Sequence, residues 1–179
     1  MELFQIHVPY NFLRGRVVLS WRFMLFGLDQ DLLDPVASIE LAVDCLEKDT
    51  ETGPLLVELA GLSKFEPTRA YVEKLASLEH ESGSSDIRDK WLYVVLAWIL
   101  EHRDGYADPL QIVEDVYADF DYPSQIAGLV RYMPSDEVDL GSRERNEERL
   151  YEKWRAFVDG CAATHGPLRD GHSTAHPRE

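Results

Sequence analysis

The chain has 179 residues, 45% apolar and 28% charged, the composition of a single globular domain with a core of its own. Its formal net charge is −15 with a pI near 4.7, a field that repels phosphate backbones and so argues against nucleic-acid binding. The same field attracts a basic protein partner and also serves plain solubility, so charge alone leaves both readings open.

Residues 1–19 are mixed. Pro9 followed by Tyr10, Phe12 and Leu13 predicts a short helical turn that Gly15 ends, and Arg16-Val17-Val18-Leu19 reads as extended. Ser20 is an N-cap for a helix through Trp21, Met24, Leu25 and Leu28. Asp34-Pro35 starts the next, Asp as cap and Pro at the first helical position, where a missing N–H costs nothing. Val36, Ile39, Val43 and Leu46 recur at spacings of three and four and predict its buried stripe, with Glu40, Asp44, Glu47 and Lys48 facing water. Pro54 opens a short helix with Leu55, Leu56 and Leu59 apolar and Gly61 near its end. Pro67 opens another, with Tyr71, Leu75 and Leu78 on one side, and His80 to Ser85 has the composition of a flexible linker.

Trp91 to Leu100 is an unbroken apolar run fenced by Asp86, Arg88, Asp89 and Lys90 before it and Glu101, His102, Arg103 and Asp104 after. A bilayer span needs about 20 such residues, and this run is half that, so no membrane span is expected. The segment from Ser85 to Arg103 contains no Pro or Gly, which favours a helix. A helix apolar all round belongs at the centre of a domain. Trp98 is expected to be buried there.

Asp108-Pro109 then starts a helix with Leu110, Val113, Val116, Tyr117 and Phe120 inward. Pro123 starts another through Ile126, Leu129 and Val130, ended by Pro134. A polar loop, Ser135 to Gly141, leads to the last helix, whose inner stripe is Leu150, Trp154, Phe157 and Cys161. Its outer face interleaves Glu144, Glu148 and Glu152 with Arg145, Arg149 and Lys153, a solvated face with weak ion pairs. From Gly166 onward hydrophobes almost vanish, and residues 166–179 are expected to be a disordered tail. The Trp21–Pro54 stretch has a weak echo in Trp91–Pro123, each with a Trp-opened helix, an Asp-Pro start and a later Pro. Two stacked helical units would explain it, as would ordinary helix-start chemistry.

Cys45 and Cys161 sit inside apolar helical patterns and need no disulfide. The first residues lack the basic and apolar blocks of a signal peptide, so a reducing cytoplasm is the expected compartment. No Gly-rich phosphate loop, His-Glu-x-x-His, Cys-x-x-Cys or Gly-x-Ser-x-Gly occurs, and no cofactor is implied.

Asp115 and Asp119 are four apart and share a helix face, with Asp121 at the helix end. Hard cations favour grouped carboxylates, but metal loops add Gly, Asn or further acids where this chain continues Tyr122-Pro123. A metal-dependent enzyme using Asp115, Asp119 and Asp121 is therefore the alternative reading. The leading one starts from the window between Arg103 and Arg131, which holds six acids (Asp104, Asp108, Glu114, Asp115, Asp119, Asp121) and no basic residue. Tyr117 and Phe120 align with Leu110 and Val113 and belong to the core, whereas Tyr122 and Tyr132 lie beside helix ends. Asp115, Asp119, Asp121, Tyr122 and Tyr132 are thus the candidate contacts for a basic protein, acids steering and tyrosines anchoring. The Asp29–Glu51 segment, with eight acids against Lys48, is a candidate extension of that face. A helical scaffold or oligomer subunit is a third reading.

At Leu19-Ser20-Trp21, at Lys90-Trp91-Leu92-Tyr93, at Tyr117-Ala118-Asp119-Phe120-Asp121-Tyr122-Pro123 and at Arg131-Tyr132-Met133-Pro134, the chain resembles a family of uncharacterised bacterial proteins, domain of unknown function 2247. The likeness covers most of residues 9–157. It implies an all-helical bacterial protein and brings no activity, cofactor or catalytic residue. Small acidic families of this kind often resemble immunity proteins that neutralise bacterial toxins, which by class analogy makes the basic partner a toxin. The expectation is one all-α domain over residues 1–165, seven or eight helices around a central helix at about 86–103.

Overall fold

The computed structural model describes residues 6–80, 84–134 and 137–166, and all regular structure among them is helical. Eight α-helices follow in order: α1 (Tyr10–Arg14), α2 (Trp21–Asp29), α3 (Val36–Glu47), α4 (Pro54–Ala60), α5 (Arg69–Leu78), α6 (Ser84–Glu101), α7 (Pro109–Asp119) and α8 (Arg143–His165). Short 3₁₀ turns lie at Arg103–Gly105 and Ser124–Leu129. No helix among the described residues is long and apolar enough to cross a membrane. The expected tail beyond Gly166, the middle of the 80–85 linker and the start of the Ser135–Gly141 loop fall outside the described residues.

α6 is the post. It packs on α2 on one side and on α7 and α8 on the others, while α2 also lies along α5 and α3 along α4. From Trp91 to Ala97 every side chain is buried, as is Ile99. Trp98 and Leu100 are half-buried, Trp98 with Phe12 edge-on at 5.0 Å and His102 stacked at 3.7 Å. The expectation of a buried Trp98 is corrected to a side chain on the outer seam of α6. Phe12 of α1 and the His102 ring lean on that seam and leave Trp98 partly open to solvent.

Trp91 holds α2 in place. Its ring stacks on Phe23 at 4.4 Å, its Nε1 donates to the Phe23 carbonyl at 2.8 Å, and it is fully buried. Gly27 makes this approach possible: a Cβ there would lie 2.2 Å from Trp91 Cζ2.

The helix starts follow local chemistry. Ser20 Oγ accepts from Phe23 N, and Asp108 Oδ1 from Gln111 N, satisfying amides that have no partner inside the helix. Asp34 Oδ1 accepts from Val36 N. The α2 start has a second cap from far away: Glu79, just past α5, accepts from Trp21 N at 2.6 Å and Arg22 N at 3.0 Å.

The helix ends are less ordinary. α2, α3 and α7 each finish with the next amides folded back on the last turn, as Leu32 N to Gly27 O, Thr50 N to Cys45 O and Tyr122 N to Tyr117 O. This motif needs a left-handed residue, usually Gly. Here all three are aspartates: Asp31 (φ 54°), Asp49 (φ 51°) and Asp121 (φ 63°).

Several side chains differ from expectation. The buried stripe of α3 is Ala37, Ser38, Leu41, Ala42 and Cys45, with Val43 exposed and Val36, Ile39 and Leu46 half-buried. The helix turns its small residues inward because α1 and α4 both press on it. Asp44 is not in open water; it accepts from the Tyr10 hydroxyl at 2.7 Å and pairs with Arg14 and Lys48. On α5, Val72, Leu75 and Ala76 are buried and Leu78, at the last turn, is exposed. The segment after Pro123 is 3₁₀ and not α, although Ile126, Leu129 and Val130 are buried as expected.

Candidate partner-binding surface

α7 presents two faces because its apolar residues recur at helical spacing. Leu110, Val113, Val116 and Tyr117 turn inward, and Asp115, Ala118 and Asp119 are exposed. Phe120 is buried just past the helix end, so the chain must turn there. Asp121 and Tyr122 make the turn, both left-handed, at φ 63° and 58°. The Tyr122 ring then lies edge-on to Tyr117 at 5.3 Å, the apolar contact that accompanies this kind of helix cap, yet 61% of Tyr122 stays exposed. Tyr132, arriving after the 3₁₀ turn, is 59% exposed. Partial desolvation and the nearby Tyr117 and Tyr122 phenols and Glu114 raise its phenol above the usual range. The candidate tyrosines therefore share one patch over Tyr117.

The six acids of this region divide into two groups. Arg131, half-buried, reaches back onto α7: its Nε donates to Glu114 Oε1 at 2.7 Å, its Nη1 to Asp108 Oδ2 at 2.8 Å and its Nη2 to Gln111 Oε1 at 3.3 Å. Glu114 is buried, so without Arg131 its charge would be stranded. The two carboxylates hold the guanidinium pKa above its already high normal value. Asp104 lies 3.7 Å from Arg103. Asp115, Asp119 and Asp121 make no ion pair among the described residues, and Asp115 accepts only from Gln111 Nε2 at 3.2 Å. Partial desolvation, with the Asp115 carboxylate four residues back, raises the Asp119 pKa. Of the three unpaired acids, Asp121 adjoins Tyr122 in the chain, whereas the carboxylate that acts on the Tyr132 phenol is Glu114.

The Arg131 clamp was not expected. Its signal was available only as the lone basic residue closing an acidic stretch. The Asp29–Glu51 cluster, by contrast, is largely committed to structure. Asp29 pairs with Arg69, Asp31 with His7, Asp44 with Tyr10, Arg14 and Lys48, and Glu51 accepts from Trp21 Nε1. On α8 the expected solvated pairs are also revised. Arg149 and Lys153 both bind Glu137 of the preceding loop, at 3.1 and 2.7 Å, and Arg149 donates to the Val138 carbonyl. The loop folds back on the helix, so a tertiary acid wins over neighbours along it.

Among the described residues no group of three or more His, Cys, Asp or Glu is placed to hold a metal ion, and Asp115, Asp119 and Asp121 do not converge as one. Cys45 and Cys161 are free thiols, their pKa values raised chiefly by burial.

A family model described as "Uncharacterized protein conserved in bacteria (DUF2247)" matches residues 10–160. No curated protein and no solved structure matches the chain.

Proposed function

The chain belongs to the DUF2247 family of uncharacterised bacterial proteins, and we propose that it is a binding module for a basic protein. The observation that carries this reading is the exposure of Tyr122 and Tyr132, on segments joined to or packed on α7, together with the unpaired Asp115, Asp119 and Asp121 in a chain of charge −15. Tyrosine is a favoured anchor because it buries large area at low conformational cost, and unpaired acids around it speed encounter with a basic surface. Holding Tyr122 left-handed while most of its ring faces solvent is costly for a bulky residue, which favours a role for the exposed ring. Within this reading the protein acts in the cytoplasm as an immunity-type inhibitor, covering a basic toxin made by the same cell.

Capture from native lysate at low salt is the test, with Asp119→Lys and Tyr122→Ala compared against the unchanged chain. The expected partner is basic, is released as salt rises, and is weakened by both substitutions, Tyr122→Ala costing about 2 kcal/mol of binding. A partner indifferent to salt and to Asp119→Lys would refute the proposal.

A further inference from the structure

At the other end of α7, a groove of about 500 Å³ opens between the Arg103–Gly105 turn and the first turns of α8. Tyr106, Tyr151 and Pro109 wall it, all half-buried. Four carboxylates line it (Asp104, Glu144, Glu147, Glu148) against two guanidinium groups, Arg103 and Arg155. Arg143 pairs with Glu147 at 2.7 Å, whereas Glu144 and Glu148 make no ion pair among the described residues. The chain already places one cation on this aromatic wall: Arg103 Cζ lies 5.7 Å from the centre of the Tyr151 ring. Burial, then the Asp108 carboxylate, raises the Tyr151 phenol, with Glu147 adding to it and Arg103 opposing. The groove thus combines aromatic faces, negative potential and two unpaired carboxylates.

We propose that this groove seats an arginine side chain of a basic protein segment. A guanidinium is planar, stacks on a tyrosine face and donates in a fork to carboxylates, so it matches both the Tyr106–Tyr151 wall and the Glu144–Glu148 rim. Lysine offers a point charge and uses only the rim. The groove shares no residue with the Tyr122–Tyr132 patch. Along the 11 residues of α7, Tyr122 lies about 16 Å from the groove's Pro109, so one extended basic segment has length to engage both.

The test is an NMR titration of the full chain with the synthetic peptide Gly-Arg-Gly-Arg-Gly and with its neutral citrulline counterpart. The expected result is resonance shifts at Tyr106, Glu144 and Tyr151 with the arginine peptide, and affinity lower by about tenfold or more for citrulline. The double variant Glu144→Gln/Glu148→Gln, on exposed positions that do not threaten folding, weakens arginine-peptide binding by about tenfold, and Tyr151→Leu does likewise. Glu58→Gln, at an exposed acid of α4 that belongs to neither site, leaves it unchanged. Equal binding by citrulline, indifference to the double variant, or no binding of the arginine peptide overturns the inference. Loss on Asp119→Asn alone also overturns it, and places the arginine on the Tyr122–Tyr132 patch, leaving the proposed function standing. Lysate capture abolished by Asp119→Lys while the peptide titration holds supports both.

Discussion

Replacing Gly27 by Ala sets two effects against each other. Alanine is the better helix former by about 1 kcal/mol, so an open site in α2 would be stabilised. At Gly27 the new methyl would meet Trp91 Cζ2 at 2.2 Å, whereas carbon contacts are comfortable at about 3.5–4.0 Å. The ring would have to move by more than 1 Å, roughly, which forces repacking of its neighbours. It cannot yield cheaply, because it is fully buried, stacked on Phe23 and tied to the Phe23 carbonyl. Overpacking of a rigid core costs about 1–3 kcal/mol or somewhat more, and taking about 3 leaves a net loss near 2 kcal/mol. For a chain of this size that lowers Tm by about 4–8 °C. Gly160 is the control: it lies exposed on α8 with nothing within 4 Å of an added Cβ. Gly160→Ala should stabilise by about 1 kcal/mol. Urea unfolding followed by tryptophan fluorescence measures both. If Gly27→Ala proved as stable as the parent while Gly160→Ala behaved as expected, the close approach of α2 and α6 would be refuted.

The Arg131 clamp predicts strong coupling: Arg131→Met strands buried Glu114 and should cost about 3–5 kcal/mol, while Glu114→Leu/Arg131→Met recovers most of it in a double-mutant cycle. Trp91→Ala should cost about 3–5 kcal/mol, and Trp98→Ala, on the outer seam, at least about 1 kcal/mol less. The Tyr10–Asp44 bond gives a pH signature. Tyr10, then Lys48 and Arg14, hold the folded Asp44 pKa below its unfolded value, so its contribution is present above that unfolded value and lost as pH falls through the folded one. Burial and Asp44 raise the Tyr10 pKa, so that contribution is present below pH about 10 and lost as pH rises further. Tyr10→Phe should flatten both limbs of a stability-against-pH curve; unchanged limbs would assign them to other groups. Asp49→Gly should stabilise by about 1 kcal/mol, because glycine takes the left-handed turn without strain and the lost carboxylate sits at the negative end of α3. A lower melting temperature would show that the Asp49 side chain does something there beyond the turn.

What could be read from the sequence was local. Ser20, Asp34-Pro35 and Asp108-Pro109 carry their chemistry within three residues, and each starts a helix as expected. The α7 stripe was legible because large apolar residues face a crowded core. The α3 stripe was not, because Ala37, Ala42 and Cys45 are small and stand out less than the larger Val36, Ile39, Val43 and Leu46, yet they are the ones buried on a helix packed by α1 and α4. Asp121 was visible as an acid but not as a helix cap, since that position normally announces itself with Gly. Exposure of Tyr122 and Tyr132 followed from their places beside helix ends. The division of the acids did not, because it depends on Arg131 crossing 17 residues to Glu114 and 23 to Asp108.

The grip of Glu79 on the start of α2 ties two distant parts of the chain into one cooperative unit. Terminal amides of a helix usually exchange with solvent first, because the end turn opens without disturbing anything else. Trp21 N and Arg22 N instead end on a carboxylate just past α5, and the Arg22 side chain returns a bond to the Glu79 carbonyl. Opening either end therefore opens both. In a hydrogen-exchange experiment the Trp21 and Arg22 amides should be protected to the same degree as the interior of α5, and Glu79→Ala should release them together.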